Sequence, residues 1–351
     1  MKLFKIEEND ANQRLDKFLK KLFPNATRSL IYKINRKDKV KVKSLPLLGG
    51  DLEGASKFKK RDNEYKLQVG DEVKIFLSDS EFKELSTFKE STQSVSTNEI
   101  EISTRARLDK KDIVFEDSDL LVVNKNPGIN VHPGDHKTKE SNLIAQIQDY
   151  LGDKLNSLTF KPSLIHRIDR DTSGILMIGK KKDMLTRMVA DLKDHKKVQK
   201  IYYAIVLGRL SRKEGTIKKN LLRIENAKDE AKVRVDDKGQ SAVTHYKLIK
   251  EHIVKAPEGD IILSELEVQI ETGRMHQIRV HLASIGNPIV GDKAYGDKRL
   301  NGFFAKNYGL TRQALHAWKI DFFHYGRDKN MQLTAKIKDD LVDFIKKVKN
   351  G

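Results

Sequence analysis

HRIDRDTSG, residues 166–174, is the stretch that decides the fold of this chain. Apolar runs flank it, SLIHRID at 163–169 and ILMIGK at 175–180, and each run predicts a strand. The charged residues between them therefore predict a loop at the end of a strand, where site residues are often carried by a rigid scaffold. A loop whose charges are merely solvated is the alternative interpretation.

The sequence around this loop shows mostly strand patterns. DIVFEDSDLLVVNK at 112–125 predicts two strands joined by a turn. Further strands are predicted at 200–208, 241–249 and 260–270. Because these strands alternate with only a few helical patterns, we predict a mixed α+β domain.

A second polar segment, ETGRMHQIRVH at 271–281, falls on a predicted short helix that Thr272 can cap. His276 and Arg279 lie three residues apart and share a helical face, whereas Arg274 lies elsewhere around the helix. The two histidines of this segment are five residues apart and do not share a face, so we predict no metal site. A basic surface helix is the alternative.

A third segment, KIYYAIVLG at 200–208, places Tyr202 and Tyr203 on opposite faces of a predicted strand. At least one of the two rings should therefore lie in the core. A core position is also the more common fate of any tyrosine on such a strand.

Composition narrows the class of partner. The 351 residues suggest about two domains, and 68 Lys+Arg against 50 Asp+Glu give a formal charge of +18. Such a charge attracts polyanions, with nucleic acid favoured and an anionic membrane surface as the rival. No apolar run approaches the roughly 20 residues of a spanning helix, and the N-terminus has no apolar stretch of signal-peptide length. We therefore predict a cytoplasmic protein without a membrane partner.

The chain contains no cysteine. This excludes disulfides, thiolate nucleophiles, iron–sulfur clusters and cysteine-ligated zinc. Any catalysis must therefore use carboxylate, imidazole, hydroxyl, amine or guanidinium groups.

Residues 12–77 form the core of a predicted small N-terminal domain at 1–78. Its pattern is two short helices followed by a strand in which valine and lysine alternate. Because the second helix carries Arg28, Lys33 and Arg36, helix and strand together predict one compact positive patch.

Residues 79–111 change character, being rich in Ser, Thr, Glu and Lys and poor in apolar periodicity. We predict a flexible linker there. Residues 112–351 then form the second predicted domain.

Five segments resemble, in family order, the motifs of the RluA-type pseudouridine synthases. HRIDRDTSG resembles the HRLDxxTSG signature of that family. The other four are IVFEDSDLLVVNKNPGINVHPG at 113–134, KIYYAIVLG at 200–208, TGRMHQIRVHLASIGNPIVGDKAYG at 272–296 and ALHAWKIDF at 314–322. The resemblance spans about 113–325 and implies a catalytic domain built on a mixed, mainly antiparallel β-sheet flanked by helices.

Residues 12–77 resemble an S4 RNA-binding domain, a small α/β module that often precedes this catalytic domain. The letters RLD at 14–16 and TRS at 27–29 match its pattern. The usual V-N-G-K turn after the basic strand is absent, and residues 43–62 look like an insertion. The combination of the two domains resembles the RluC and RluD branch of the family.

The resemblance also implies roles for individual residues. Asp169 would be the catalytic carboxylate, which attacks the sugar or removes the C2′ proton. Arg279 would pair with this carboxylate, and Tyr202 would stack on the target base and help to remove the C5 proton. Arg167 would enter the RNA stack in place of the extruded nucleotide. Further expected substrate- or RNA-binding residues are Arg170, Thr172, Arg274, His276, Arg28, Lys33 and Arg36.

Two residues of the signature compete for these roles. Asp171 is the rival carboxylate, although it could instead pair with Arg167 or Arg170. His166 is expected to be a hydrogen-bonded structural residue rather than a general base.

The activity implied is isomerisation of uridine, which needs no redox cofactor and no metal. The expected partner is RNA, 23S ribosomal RNA or the pre-ribosomal large subunit, with transfer RNA left open, and the expected state is a monomer. A non-catalytic RNA-binding or ribosome-assembly factor would fit the charge and the N-terminal domain equally well, but it need not keep Asp169, Tyr202 and Arg279 together. A glycosidase-like hydrolase, which generally uses a carboxylate pair, is the third hypothesis.

Overall fold

The computed structural model describes residues 1–44, 57–86, 108–132, 142–152, 157–194, 196–224, 232–256 and 259–350. The chain divides into two compact units, Met1–Thr104 with Leu151–Lys161, and Arg105–Tyr150 with Pro162–Gly351. None of the described helices is long and apolar enough to cross a membrane.

The smaller unit is a three-stranded antiparallel sheet with helices, in the strand order β1-β3-β2. Its elements are β1 (Lys2–Lys5), α1 (Leu15–Leu22), α2 (Arg28–Arg36), β2 (Val40–Lys43), β3 (Glu72–Ile75) and α3 (Asp79–Ser86).

The apolar residues of this unit recur at helical and strand spacing, and their side chains lie in its core. Phe18 and Leu19 of α1 are fully buried, as are both valines of β2, whose lysines stay partly exposed. The hydroxyl of Thr27 accepts a hydrogen bond from the backbone N–H of Leu30 at 3.2 Å, so Thr27 caps the N-terminus of α2.

The prediction of a flexible linker from residue 79 is wrong at its start. Helix α3 packs against the core of the smaller unit, where Phe82 stacks on Phe4 at 5.9 Å and meets the ring of Phe23 edge-on at 5.2 Å. The segment is rich in Ser and Glu, and its two apolar residues that pack on the core, Phe82 and Leu85, form no periodic pattern in the sequence. Their role is evident only from the residues that they contact. The rest of the predicted linker up to residue 107, and residues 45–56 of the predicted insertion, lie outside the described residues.

The larger unit is built on one ten-stranded sheet. Its strands are β4 (Ile113–Glu116), β5 (Leu120–Lys125), β6 (Ser163–Leu164), β7 (Ser173–Gly179), β8 (Gln199–Leu207), β9 (Glu214–Lys218), β12 (Val243–Val254), β13 (Ile261–Ile270), β14 (Leu315–His324) and β15 (Lys329–Thr334), with the separate hairpin β10 (Leu221–Ile224) and β11 (Lys232–Val235). Its helices are α4 (Leu143–Leu151), α5 (Lys182–Asp191), α6 (Gln277–Ala283), α7 (Lys298–Tyr308) and α8 (Asp339–Asn350).

The sheet is mainly antiparallel, as predicted. Its strand order is β4-β5-β7-β14-β8-β13-β12-β9, and β15 pairs with β14 while β6 pairs with β7. Among the described strand pairs, β7 and β14 alone run parallel. Strand β7 is buried on both faces, which explains the continuous apolar run ILMIG that predicted it.

The polar loop lies where β7 begins to pair with β14. Gly174 makes this junction possible, because a Cβ built on it would lie 2.1 Å from the carbonyl oxygen of Ala317, and its φ is +112°. The strand predicted over 163–169 is shorter than expected, since only Ser163–Leu164 pair and the following residues belong to the loop.

The helix predicted in the second polar segment is α6, but Thr272 is not its cap. His276 is the N-cap residue, with a left-handed φ of +53° and no capping bond from its side chain. The hydroxyl of Thr272 instead donates to Oε1 of Gln277 at 2.7 Å.

Candidate active site

A pocket of about 280 Å³ lies beside the polar loop of the larger unit. The loop, strand β8 and the start of α6 all contribute to its wall. Seven of the predicted site residues line it, namely Arg167, Asp169, Thr172, Tyr202, Arg274, His276 and Arg279.

Asp169 points its carboxylate at Arg279. Its Oδ2 lies 2.9 Å from Nη1 of Arg279, and 27% of the Asp169 side chain stays exposed. A turn fixes the backbone here, because the N–H of Thr172 donates to the carbonyl of Asp169 at 3.2 Å. The acid is therefore paired on one side and open to the pocket on the other.

Arg279 is held by a second carboxylate behind it. Its Nε and Nη2 donate to the two oxygens of Asp292 at 2.7 and 2.9 Å, a two-point clamp that fixes the plane of the guanidinium. Burial by itself would raise the pKa of Asp292, but the hydrogen bonds and charge of Arg279 lower it overall. The ring of Tyr295 adds a cation–π contact at 5.1 Å from the guanidinium.

Tyr202 lines the pocket from strand β8. It is 7% exposed, and burial followed by the charge of Asp169 raises the pKa of its phenol well above the usual value. Tyr203 faces the other side of the sheet, where its hydroxyl donates to Glu265 at 2.5 Å. The predicted opposite orientation of the two rings is confirmed.

His276 lies next to the acid pair. Its Nε2 is 3.9 Å from Oδ2 of Asp169, and its Nδ1 lies 2.9 Å from the hydroxyl of Tyr295. Burial lowers the pKa of His276, the charge of Asp169 opposes this, and that of Arg279 reinforces it.

Strand β14 and the segment before it hold the C-terminal half of the signature. Gln313 donates to the hydroxyl of Thr172 at 3.3 Å, and the hydroxyl of Ser173 bonds Nδ1 of His316 at 2.9 Å. Nη1 of the buried Arg312 donates to the carbonyl of Asp171 at 3.3 Å. Hydrogen bonds to β14 and to the segment before it therefore fix Thr172 and Ser173 of the signature.

The buried ammonium of Lys125 holds the same loop from β5. It donates to the carbonyl of Arg170 at 2.6 Å, and the N–H of Gly128 donates to that same oxygen at 3.0 Å. Burial lowers the pKa of Lys125 to about 7, against the opposing charge of Asp171.

With this geometry in view, comparison with known proteins identifies the family. The RNA pseudouridylate synthase model matches residues 119–284. A relative from Buchnera aphidicola subsp. Baizongia pistaciae is 32% identical over 95% of this chain and 92% of its own length. This chain belongs to the RNA pseudouridylate synthase family. As a member of it, the chain is an RNA pseudouridine synthase, an isomerase.

Other members of the family extend the match. A Vibrio cholerae protein is 32% identical over 99% of this synthase and 96% of its own length, and both relatives are named ribosomal large subunit pseudouridine synthase C. The solved structure of human RNA pseudouridylate synthase domain containing 4 shares the fold, with a TM-score of 0.52 and 23% identity over 68% of this chain and 93% of that one. Human RNA pseudouridylate synthase domain containing 1 gives a TM-score of 0.51 and 22% identity, covering 64% and 83%.

Several predicted residues of this synthase lie away from its pocket wall. Arg170 is exposed and its Nε lies 3.6 Å from Oδ1 of Asp171, one of the two pairings considered for that aspartate. Lys33 and Arg36 line a separate pocket of about 650 Å³ in the smaller unit, together with Lys60 and Arg61. Arg28, the first residue of α2, does not line that pocket.

Two residues that lie behind the pocket wall, Asp292 and Arg312, were not predicted from the sequence. Asp292 lies in the quoted GDKAYG segment, so a search of each motif for a second carboxylate would have found it. Arg312 precedes the last motif and gives no signal of its own. His166 agrees with its structural interpretation, because it accepts a hydrogen bond from the N–H of Met177 at 3.3 Å and burial lowers its pKa to about 3.

Proposed function

We propose that this synthase converts uridines of large-subunit ribosomal RNA to pseudouridine, with Asp169 as the catalytic carboxylate. One observation carries the assignment: the Asp169 carboxylate is paired with a clamped guanidinium in a pocket that it shares with Tyr202. The names of the relatives support the choice of RNA.

The reaction breaks the N1–C1′ bond of uridine, turns the base and joins C5 to C1′, after which C5 loses a proton and N1 gains one, so that the product is an isomer of the substrate. An ionised carboxylate can start it by attacking C1′ or by removing the C2′ proton. The pairing with Arg279 favours the anionic form that either route requires. Both routes place the reacting sugar against the open side of Asp169.

Tyr202 supplies the surface on which the base stacks. Its ring lies in the pocket wall, and the raised pKa of its hydroxyl keeps the phenol neutral. A neutral ring suits stacking on a pyrimidine of any orientation, so the same contact can persist while the base turns. The role of proton acceptor from C5 would require the phenolate, which burial disfavours.

The target nucleotide must leave its stack to reach the pocket, at a cost of a few kcal/mol that is smallest in loops. Arg167 is an exposed pocket-lining cation and would occupy the vacated position. Arg274 and His276 would contact the nucleotide from the segment that leads into α6. Arg28, Lys33 and Arg36 of the S4-like domain would bind the RNA backbone, and Arg170 and Thr172 would bind the RNA at the loop. We further propose a monomer that meets its RNA in the cytoplasm.

Tritium release from three transcripts labelled with [5-³H]uridine tests the substrate assignment. We expect release from 23S ribosomal RNA and none above background from 16S ribosomal RNA or a transfer RNA pool. Release from transfer RNA alone would contradict the ribosomal substrate. Tight binding of 23S RNA without release from any transcript would contradict the catalytic role.

A further inference from the structure

The pocket wall carries far more positive than negative charge. Among the residues that the structure describes, one carboxylate lines it, that of Asp169, against five lysine and arginine side chains, which are Arg167, Lys193, Lys200, Arg274 and Arg279. Arg167, Lys193 and Arg274 are exposed, where water screens an unpaired charge. Arg279 is buried but lies between two carboxylates. Lys200 is neither exposed nor paired with a carboxylate of the described residues.

Lys200 is a half-buried cation to which no described residue supplies a counter-charge. No described residue forms a hydrogen bond or an ion pair with its ammonium. Desolvation lowers its pKa, and the Lys200 charge in turn helps to lower the pKa of His166. An unpaired charge in such a place is costly, so its natural counter-charge is a bound anion.

The ammonium of Lys200 lies beside an exposed segment of the pocket wall. Its side chain starts on β8, two residues before Tyr202 and on the same face of the strand. A Cβ built on Gly273, which is exposed, would lie 3.6 Å from Nζ of Lys200. The charged end of Lys200 therefore lies near the exposed segment that carries Arg274.

Resting on the proposed function, we infer that Lys200 is a substrate-binding residue whose ammonium binds a phosphate oxygen of the extruded nucleotide. The phosphate carries a full negative charge before any bond breaks, whereas the carbonyl groups of uracil are neutral acceptors in the bound substrate. The RNA backbone must also pass the opening of the pocket, while the base goes deeper, towards Tyr202 and Asp169. Charge and position thus both favour the phosphate over the base.

The salt dependence of catalysis separates a phosphate contact from a base contact. Tritium release from [5-³H]uridine-labelled 23S ribosomal RNA would be measured between 0.1 and 0.5 M KCl for the wild type, Lys200→Met and Lys200→Arg. Lys329→Met is the matched control, since Lys329 is an exposed lysine of β15 that does not line the pocket.

We expect Lys200→Met to lower kcat/KM about tenfold at 0.1 M KCl and to reduce the slope of log(kcat/KM) against log[KCl] by about 0.9. Its single-turnover rate at saturating RNA should stay within about twofold of the wild type, because a phosphate contact is the same in ground and transition states. Lys200→Arg should keep the wild-type slope, and Lys329→Met should match the wild type throughout.

Three outcomes would overturn the inference. An unchanged slope with a slower single-turnover rate would assign Lys200 to the base. An unchanged slope with a lower melting temperature would assign Lys200 a purely structural role. We expect Lys200→Met not to lower the melting temperature, because the substitution removes an unpaired charge from a half-buried position. Wild-type protein that releases no tritium would overturn the proposed function together with this inference. The first two outcomes would overturn the inference alone, because the wild type would still release tritium.

Discussion

Arg279 joins two carboxylates that differ in environment. Asp292 is fully buried and is bonded at both oxygens, whereas Asp169 is bonded at one oxygen and faces the pocket. The buried acid thus fixes the guanidinium, and the guanidinium fixes Asp169. This arrangement brings together Asp169 of the polar loop with Arg279 and Asp292 of the segment 272–296.

Asp292→Asn tests the clamp. We expect a loss of about 3 kcal/mol in the free energy of unfolding, because a buried guanidinium loses one anionic partner. We also expect kcat to fall at least tenfold while RNA binding changes little, since Arg279 no longer holds Asp169 in place. Urea denaturation and single-turnover tritium release provide the measurements.

The pH dependence of that variant has a definite sign. The pKa of Asp292 is lower in the folded protein than its unfolded value of about 3.9, so its stabilisation is present above that value and is lost as the pH falls through the folded pKa. The stability gap between wild type and Asp292→Asn should therefore shrink in acid. Asp328→Asn is the control, since this exposed residue has a φ of +49° that Asn tolerates. A gap that stays constant down to pH 3 would contradict the ion pair.

At the scale of elements, the junction of β7 with β14 positions the loop that carries Asp169. Gly174→Ala should lower the free energy of unfolding by more than about 3 kcal/mol, because the new methyl group overlaps the Ala317 carbonyl and the backbone angle suits glycine. Gly302→Ala in α7 is the matched control, with open space around its Cβ, and should stabilise by about 0.5–1 kcal/mol. Equal effects of the two substitutions would contradict the close approach.

A histidine at the same junction, His316, should make the free energy of unfolding depend on pH. Burial lowers the pKa of His316 to about 4, below its usual value of about 6.5. Between these values the unfolded chain binds more protons, so the free energy of unfolding should fall by up to about 1.4 kcal/mol per pH unit as the pH decreases. His316→Gln should lose that part of the pH dependence in denaturation at pH 7 and pH 5. A variant as acid-sensitive as the wild type would show that His316 is not the group responsible.

Element by element, the sequence predicted what local pattern determines and missed what distant contacts determine. Strand alternation placed Tyr202 and Tyr203 on opposite faces, and the apolar run after the loop marked β7. Helix α3 escaped prediction because Phe82 has meaning only beside Phe4 and Phe23. The clamp on Arg279, and the lack of a partner for Lys200 among the described residues, depend on which side chains meet in space, which periodicity does not encode.

At the scale of the whole molecule, the charge of +18 should govern the affinity for RNA. Lys33 and Arg36 line the positive pocket of the smaller unit, so the double substitution Lys33→Met with Arg36→Met should weaken RNA binding and reduce the salt slope of log Kd by about 2. The single-turnover rate at saturating RNA should not change. The double substitution of Lys329 and Lys349, both exposed on the larger unit, is the control. Unchanged binding by the Lys33 and Arg36 variant would contradict an RNA-binding role for this surface.

The most direct test compares two neighbouring carboxylates of one loop. Tritium release from [5-³H]uridine-labelled 23S ribosomal RNA would be measured for wild type, Asp169→Asn and Asp171→Asn. Only Asp169 lines the pocket and bonds Arg279, so we predict that Asp169→Asn still binds RNA but loses release by at least 10⁴-fold, whereas Asp171→Asn keeps most of it. Release that survives in Asp169→Asn and disappears in Asp171→Asn would contradict the account.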